Sequence, residues 1–222
     1  MISARLPTAL PERLSLFPLT GVMLLPFGHV PLSVFEPRYI NLIDDALGGS
    51  RIIGLIQPLI NQVDPVDDTA ELYTVGTAGR IVQFSDMSDG RYHITLEGLS
   101  RFHVKAEVAF DAARGYRQVN VEYTPYLGDV APAERGDGPG RERILELMHG
   151  YFASQDIEAD WSAVAEAPYE ALVSSLAMTC PFESGEKQAL LECENHEDRA
   201  RMLISLFEMS GEGGPAQGLL KH

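Results

Sequence analysis

The sequence predicts an α+β protein in which an antiparallel β-barrel is followed by a helical bundle. Short runs of apolar, β-branched and aromatic residues between prolines and glycines recur through the first 124 residues, which is typical of strands joined by tight turns. At Glu36-Pro37 the apolar spacing changes to the i, i+3, i+4 pattern of one helix face. Beyond residue 140 the apolar residues again recur with a helical period. The change of period therefore separates a strand-rich part from a helical part.

The first fifty residues contain the clearest signals. Residues 1–13 have little periodicity and are expected to form an amino-terminal arm. Three apolar runs follow, and each is predicted to be a strand: 14–19, 22–27 and 30–35. A helix is predicted to begin at Pro37, which suits a first turn, and to end before Gly48.

Residues 72–124 are strand-like throughout. Turns are expected at 86–90, at Gly98 and at 113–115. The strands between them are predicted at residue 75 and at 80–84, 92–96, 102–108 and 116–123. So many short strands around one helix favour a closed or nearly closed antiparallel barrel over residues 14–127, because closure removes exposed sheet edges.

A shift in composition marks the end of the barrel. Residues 128–140 are rich in glycine, proline and charge, and they are predicted to be a linker. Residues 141–210 are predicted to be a helical subdomain, and residues 211–222 a flexible tail. Polar residues ahead of three of its helices are predicted N-caps: Asp160, Ser184 and Asn195, the last with Asp198 in the first turn.

Charge and cysteine content limit the functional classes. The 17 basic and 32 acidic residues give a formal net charge of −15, which repels nucleic acids and anionic membranes. We therefore expect no nucleic-acid partner and no membrane partner. Cys180 and Cys193 are too few for a disulfide scaffold and fit a reducing, cytoplasmic location. The sequence contains no apolar run long enough to span a bilayer.

Residue patterns typical of catalysis or metal binding are weak. Ser184 and Lys187 lie one helical turn apart, as in some activated serine nucleophiles, but a serine at this position is more often a helix cap. Neither cysteine lies in a C-x-x-C pair. The histidines also lack ligand spacing: His29, His93, His103, His149, His196 and His222. We predict no catalytic residue, no metal site and no cofactor.

Several short segments, in order, resemble one known family. They are LFPL at 16–19, LP at 25–26, PL at 31–32, FEPRY at 35–39, RIIGL at 51–55, VGTAGRI at 75–81, DGRY at 89–92, LEG at 96–98, RF at 101–102 and KQxLLE at 187–192. Together they resemble the amino-terminal, substrate-recognition domain of Lon ATP-dependent proteases, which also occurs in stand-alone bacterial proteins and in cereblon. The resemblance implies a PUA-like β-pseudobarrel followed by helices.

Charged and aromatic residues within these segments are the candidate site. An arginine among apolar strands most often pairs with a carboxylate or with backbone carbonyls and fixes a structural junction. The other interpretation is a polar rim around a peptide-binding groove. Both interpretations remain open for the same residues: Glu36, Arg38, Tyr39, Arg80, Arg91 and Arg101.

The resemblance implies a role in selecting unfolded or tagged polypeptide. The 222 residues carry no Walker motif, so we expect a non-catalytic recognition or adaptor protein rather than an ATP-driven peptidase. Its expected partners are extended polypeptides, basic and apolar in character, bound by strand addition or pocket insertion, together with a separate protease or chaperone. The alternatives are a small-ligand or RNA-binding PUA-like module and an unrecognised hydrolase.

Overall fold

The computed structural model describes residues 10–62, 66–130, 138, 140–154, 158 and 160–212. The chain divides into two units, residues 1–131 and residues 132–222. Within these described residues, the first unit contains the sheet and one α-helix, and the second contains the other α-helices. The elements of the first unit are β1 (Arg13–Pro18), β2 (His29–Val34), α1 (Pro37–Leu47), β3 (Ile52–Ile56), β4 (Val75–Asp86), β5 (Tyr92–Glu107), β6 (Gln118–Glu122) and a 3₁₀ helix (Thr124–Val130).

The six strands form one sheet that closes on itself. The strand order is β2-β5-β4-β3-β1-β6, and β6 also pairs with β5. Closure is possible because β5 is long: residues 92–97 pair with β2, whereas residues 103–107 pair with β6. Strand β2 is left as an edge outside the closed ring. The predicted α+β class, with a closed sheet followed by helices, is confirmed.

One strand pairing differs from the antiparallel prediction. Strands β1 and β3 are parallel, with Leu16 opposite Gly54, whereas the other described pairings are antiparallel. The chain leaves β1, forms β2 and α1, and only then returns beside β1, which is the crossover that parallel strands need. The barrel core consists mainly of apolar side chains from these strands: Leu14, Leu16, Ile52, Ile56, Ala78, Phe102, Val119 and Val121.

The predicted strand at 22–27 is wrong. This segment is a loop that buries Met23, Leu24 and Leu25, and the Leu24 carbonyl accepts a hydrogen bond from Thr77 Oγ1 at 2.5 Å. Its apolar side chains are buried against β4 and β5, and the segment does not pair as a strand of the sheet. An apolar run alone does not distinguish these two uses.

The predicted turn at Gly98 is also wrong, because β5 continues through it as one strand. The glycine is needed for close approach: a Cβ at Gly98 would overlap the carbonyl oxygen of Leu25 in the 19–28 loop. One of two register shifts in the β4–β5 pairing also lies here, with Ala78 opposite Ser100 and Gly79 opposite Gly98.

The second unit is helical. Its elements are α2 (Arg141–Ser154), α3 (Trp161–Glu166), α4 (Tyr169–Thr179), α5 (Ser184–Glu192) and α6 (His196–Glu212). An aromatic cluster links α2 and α6 to the connection between α4 and α5, with ring centroids 5.0 Å apart for Tyr151–Phe207 and 5.7 Å for both Tyr151–Phe182 and Phe182–Phe207. Contacts of this kind stabilise the fold beyond the effect of the apolar area that the rings bury.

Two of the three predicted caps are confirmed. Asp160 Oδ1 accepts from the Ser162 N–H at 3.1 Å, and Asn195 Oδ1 accepts from the Asp198 N–H at 2.9 Å. The third cap is wrong, because Ser184 is buried as the first residue of α5. The preceding residue, Glu183, is the N-cap, and its N–H donates to the Glu186 carboxylate at 2.9 Å.

The predicted linker is shorter at its start than the sequence indicated. Residues 128–130 complete the 3₁₀ helix, because Asp129 is held by Arg101. Residues 131–137 and 139 of the linker, 1–9 of the arm and 213–222 of the tail lie outside the described residues. Among the helices that are described, none combines the length and apolarity that crossing a bilayer requires.

Candidate functional site

Three of the six candidate residues lie together at the start of α1. Arg38 Nε donates to Glu36 Oε2 at 2.9 Å, and Arg38 also forms an ion pair with Asp68 and donates to the Val66 carbonyl at 2.7 Å. The guanidinium lies over the ring of Tyr39, 4.5 Å from its centroid. Arg38 thus joins the β2–α1 corner to the 66–68 segment.

Arg101 is held in a separate, buried ion pair. The side chains of Arg101 and Asp129 are 4% and 9% exposed. Asp129 Oδ2 accepts from the Arg101 backbone N–H at 2.8 Å and from Nε at 2.9 Å, and Oδ1 accepts from the second guanidinium nitrogen at 2.8 Å. The guanidinium also stacks 4.5 Å from the Tyr126 ring centroid. This pair fastens the 3₁₀ helix to β5.

Arg80 and Arg91 lie elsewhere on the sheet. Arg91 follows the β4–β5 turn, and its Nε donates to Asp89 Oδ2 at 2.8 Å in an exposed pair. Arg80 lies in β4, half-buried and directly opposite Glu97 of β5. The six candidate residues therefore do not converge on one groove.

An open cavity of about 470 Å³ lies on the sheet between β2, β5 and β4. Its lining residues come from all three strands: Pro31, Leu32, Ser33, Gln83, Ser85, His93, Ile94 and Thr95. The strand register explains this set, because Pro31 and Gln83 both lie opposite Thr95, and Ser33 and Ser85 both lie opposite His93.

Strand pairing extends this surface beyond the cavity. In β4 a register shift between Ile81 and Gln83 places Arg80 in the same set of rows as Gln83 and Ser85. In β5, Glu97 shares a face with Thr95 and His93, and it lies opposite His29 and Arg80. We call the surface formed by these three rows the three-strand face: His29, Pro31, Ser33, Arg80, Gln83, Ser85, His93, Thr95 and Glu97. At its far end Phe35 and Met87 are exposed, and the Met87 N–H donates to the Arg91 carbonyl at 2.9 Å. Arg80 and Arg91 therefore lie toward opposite ends of one surface.

Sequence reasoning missed the cavity residues. Each is an ordinary strand residue, and only the alternation in His93-Ile94-Thr95-Leu96 indicated which side chains face away from the core. The register that brings three strands together depends on long-range pairing, which local patterns do not specify.

Ser184 and Lys187, the pair considered as a possible nucleophile and base, lie at the start of helix α5. Both side chains are buried, and Lys187 Nζ donates to the Met178 carbonyl at 3.5 Å near the end of α4. Burial lowers the pKa of Lys187, and burial raises the pKa of Cys180 to about 12. In the part of the chain that the structure describes, no three His, Cys, Asp or Glu side chains group as metal ligands.

Comparison with known proteins gives one consistent family. Residues 13–208 match the family model of the ATP-dependent protease La (LON) substrate-binding domain. The chain is 36% identical over 207 residues to Lon protease 2 of Myxococcus xanthus, covering 91% of this chain and 24% of that protein. It is 28% identical over 205 residues to Lon protease 2 of Sorangium cellulosum, covering 88% and 24%. The chain thus spans about a quarter of the length of these relatives.

Solved structures share the fold. A Lon N-terminal domain protein from Xanthomonas campestris has a TM-score of 0.61 at 23% identity, over 87% of this chain and 97% of that chain. The N-terminal domain of a Mycobacterium avium complex Lon protease has a TM-score of 0.59 at 18% identity, over 89% and 98%.

Proposed function

Because the chain belongs to the Lon substrate-binding domain family, we propose that it is a non-catalytic recognition or adaptor protein that binds unfolded or tagged polypeptide segments. Family membership supports the general role in substrate recognition. The three-strand face and its cavity are the observation that carries the specific proposal.

The dimensions of the three-strand face suit an extended peptide. From Glu97 to Arg91 the extended chain spans about 20 Å at roughly 3.4 Å per residue, and three strands are about 10 Å across. An extended segment of about six residues has this length. The cavity of about 470 Å³ has room for one or two of its side chains.

Insertion into the cavity fits the geometry better than strand addition. Strand β2 is the sheet edge, but Pro31 lies in its middle and has no N–H. A proline in an edge strand normally turns its nitrogen toward solvent, so a strand added beside β2 would lack a main-chain donor there.

The net charge of the chain and its exposed apolar side chains indicate which polypeptides it would bind. A net charge of −15 attracts basic segments at long range and disfavours nucleic acid. Phe35 and Met87 supply apolar contact at one end of the face. We therefore propose apolar, basic, unfolded clients, passed on to a separate protease or chaperone.

A binding assay with substitutions in the cavity tests this function. Fluorescence anisotropy with an unfolded apolar and lysine-containing peptide should show binding, and Ser33→Trp or Ser85→Trp should weaken it at least tenfold by filling the cavity. Ser205→Trp, at an exposed position of helix α6, is the matched control and should leave affinity unchanged. Purified protein should hydrolyse neither ATP nor casein; robust proteolysis would refute the non-catalytic role.

A further inference from the structure

Residues 25–28 form a tight turn just before β2. The Gly28 N–H donates to the Leu25 carbonyl at 2.9 Å, as in a four-residue β-turn. Pro26 occupies the second position, where its ring fixes a negative φ. Phe27 occupies the third position with φ of 62°, so the turn is of type II. That position favours glycine or asparagine, and a bulky side chain there is strained.

The surrounding structure, rather than Phe27 itself, imposes this conformation. The Phe27 N–H donates to the Gly98 carbonyl at 2.8 Å, and the Gly98 N–H donates to the Gly28 carbonyl at 2.9 Å. The side chain of Leu25 is fully buried, and its carbonyl approaches Gly98 where a Cβ would clash. A turn fixed in this way can hold an unfavourable residue in place.

The side chain held by this turn is an exposed aromatic ring. Phe27 is 54% exposed, so burial in the core does not account for a phenylalanine where glycine is favoured. Strained residues of this kind cluster at binding and catalytic sites. Gly98, which bonds to Phe27, follows Glu97 in β5, so the turn adjoins the end of the three-strand face marked by His29 and Arg80.

We propose that Phe27 is a preorganised anchor that takes an apolar side chain of the bound polypeptide. This inference rests on the proposed polypeptide binding and names a residue that determines its specificity. The occupant is an unfolded segment in which an apolar residue adjoins lysine or arginine, because the chain carries a net charge of −15. A rigid aromatic loses little conformational freedom on contact, which suits an anchor.

Substitutions that keep the turn but remove the ring test the anchor. Phe27→Gly and Phe27→Asn retain residues that the turn position favours, so a change in binding reports the ring. Each should weaken binding of an apolar, lysine-containing peptide at least tenfold. Phe110→Gly is the matched control, because Phe110 is also 54% exposed but follows β5 at its other end, and it should change affinity less than twofold.

The outcomes distinguish a failure of the Phe27 proposal from a failure of the proposed polypeptide binding. Unchanged affinity of Phe27→Gly, with Ser85→Trp still blocking the peptide, would overturn the anchor and leave the three-strand face as the site. Failure of the unsubstituted protein to bind any unfolded peptide would overturn the proposed function itself.

A spectroscopic variant tests contact directly. Trp161 is the single tryptophan, so Phe27→Trp combined with Trp161→Phe places the fluorophore at the turn. Peptide addition should shift its emission to shorter wavelength and reduce iodide quenching. Binding detected by anisotropy without either change would overturn the anchor.

Discussion

Removing Asp129 should strongly destabilise the β-barrel unit. Arg101 and Asp129 are almost completely buried, and three hydrogen bonds between them are 2.8 to 2.9 Å long. Asp129→Ala leaves a buried guanidinium without its counter-charge. It also leaves the Arg101 backbone N–H without this acceptor.

The expected magnitude follows from the burial of the pair. Removing one partner of a buried ion pair costs about 3–5 kcal/mol of folding free energy. For a unit of this size that corresponds to a decrease in Tm of about 10–20 °C. The double variant Arg101→Met/Asp129→Leu should lose only about 1–2 kcal/mol, because no charge is left buried and the unmade backbone hydrogen bond is the remaining cost.

Urea unfolding followed by far-ultraviolet circular dichroism measures this effect. Trp161 fluorescence follows the second unit separately, since the single tryptophan lies there. Asp89→Ala is the matched control: it breaks an exposed arginine–aspartate pair and should barely move the urea midpoint. A loss below about 1 kcal/mol for Asp129→Ala would refute the argument that this buried pair holds the 3₁₀ helix.

Three further outcomes follow from local geometry. Phe27→Gly should be more stable than Phe27→Ala by about 1 kcal/mol in urea unfolding, because glycine adopts this positive φ without strain and alanine does not; the reverse order would contradict the turn assignment. Gly98→Ala should cost about 3 kcal/mol or prevent folding, since the added Cβ overlaps the Leu25 carbonyl, and a neutral result would disprove that contact. A thiol reagent at about pH 8 should modify half-buried Cys193 before Cys180, because burial raises the pKa of Cys180 to about 12; equal rates by mass spectrometry would contradict this order.

Elements set by local chemistry could be predicted from the sequence. Helix α1 begins at Pro37 and ends at Leu47, because proline fits a first turn and the Tyr39, Leu42 and Ile43 side chains form one buried stripe. The caps at Asp160 and Asn195 are equally local, since each bonds within three residues of itself.

Features set by long-range contact could not be predicted in this way. In the sequence Gly98 resembles a turn residue, and the structure shows instead that the Leu25 carbonyl lies against it. In the sequence Asp129 resembles a linker residue, and the structure shows that it pairs with Arg101, 28 positions earlier. In both cases the deciding partner lies in another segment, so composition and periodicity carry no information about it.

The candidate site shows the same limit. The FEPRY segment and the arginines were visible in the sequence, and Arg38 and Arg101 lie in junctions that their carboxylate partners create. The three-strand face was not visible, because it consists of single residues from three strands whose register only the folded sheet defines.

Site-specific photocrosslinking tests the central claim most directly. A photoreactive amino acid is placed at position 85, on the three-strand face, or at position 205, on helix α6, and each protein is irradiated with an unfolded apolar and basic peptide. We predict strong crosslinking from position 85 and background crosslinking from position 205. Equal yields at both positions, or capture from position 205 alone, would contradict polypeptide binding at the three-strand face.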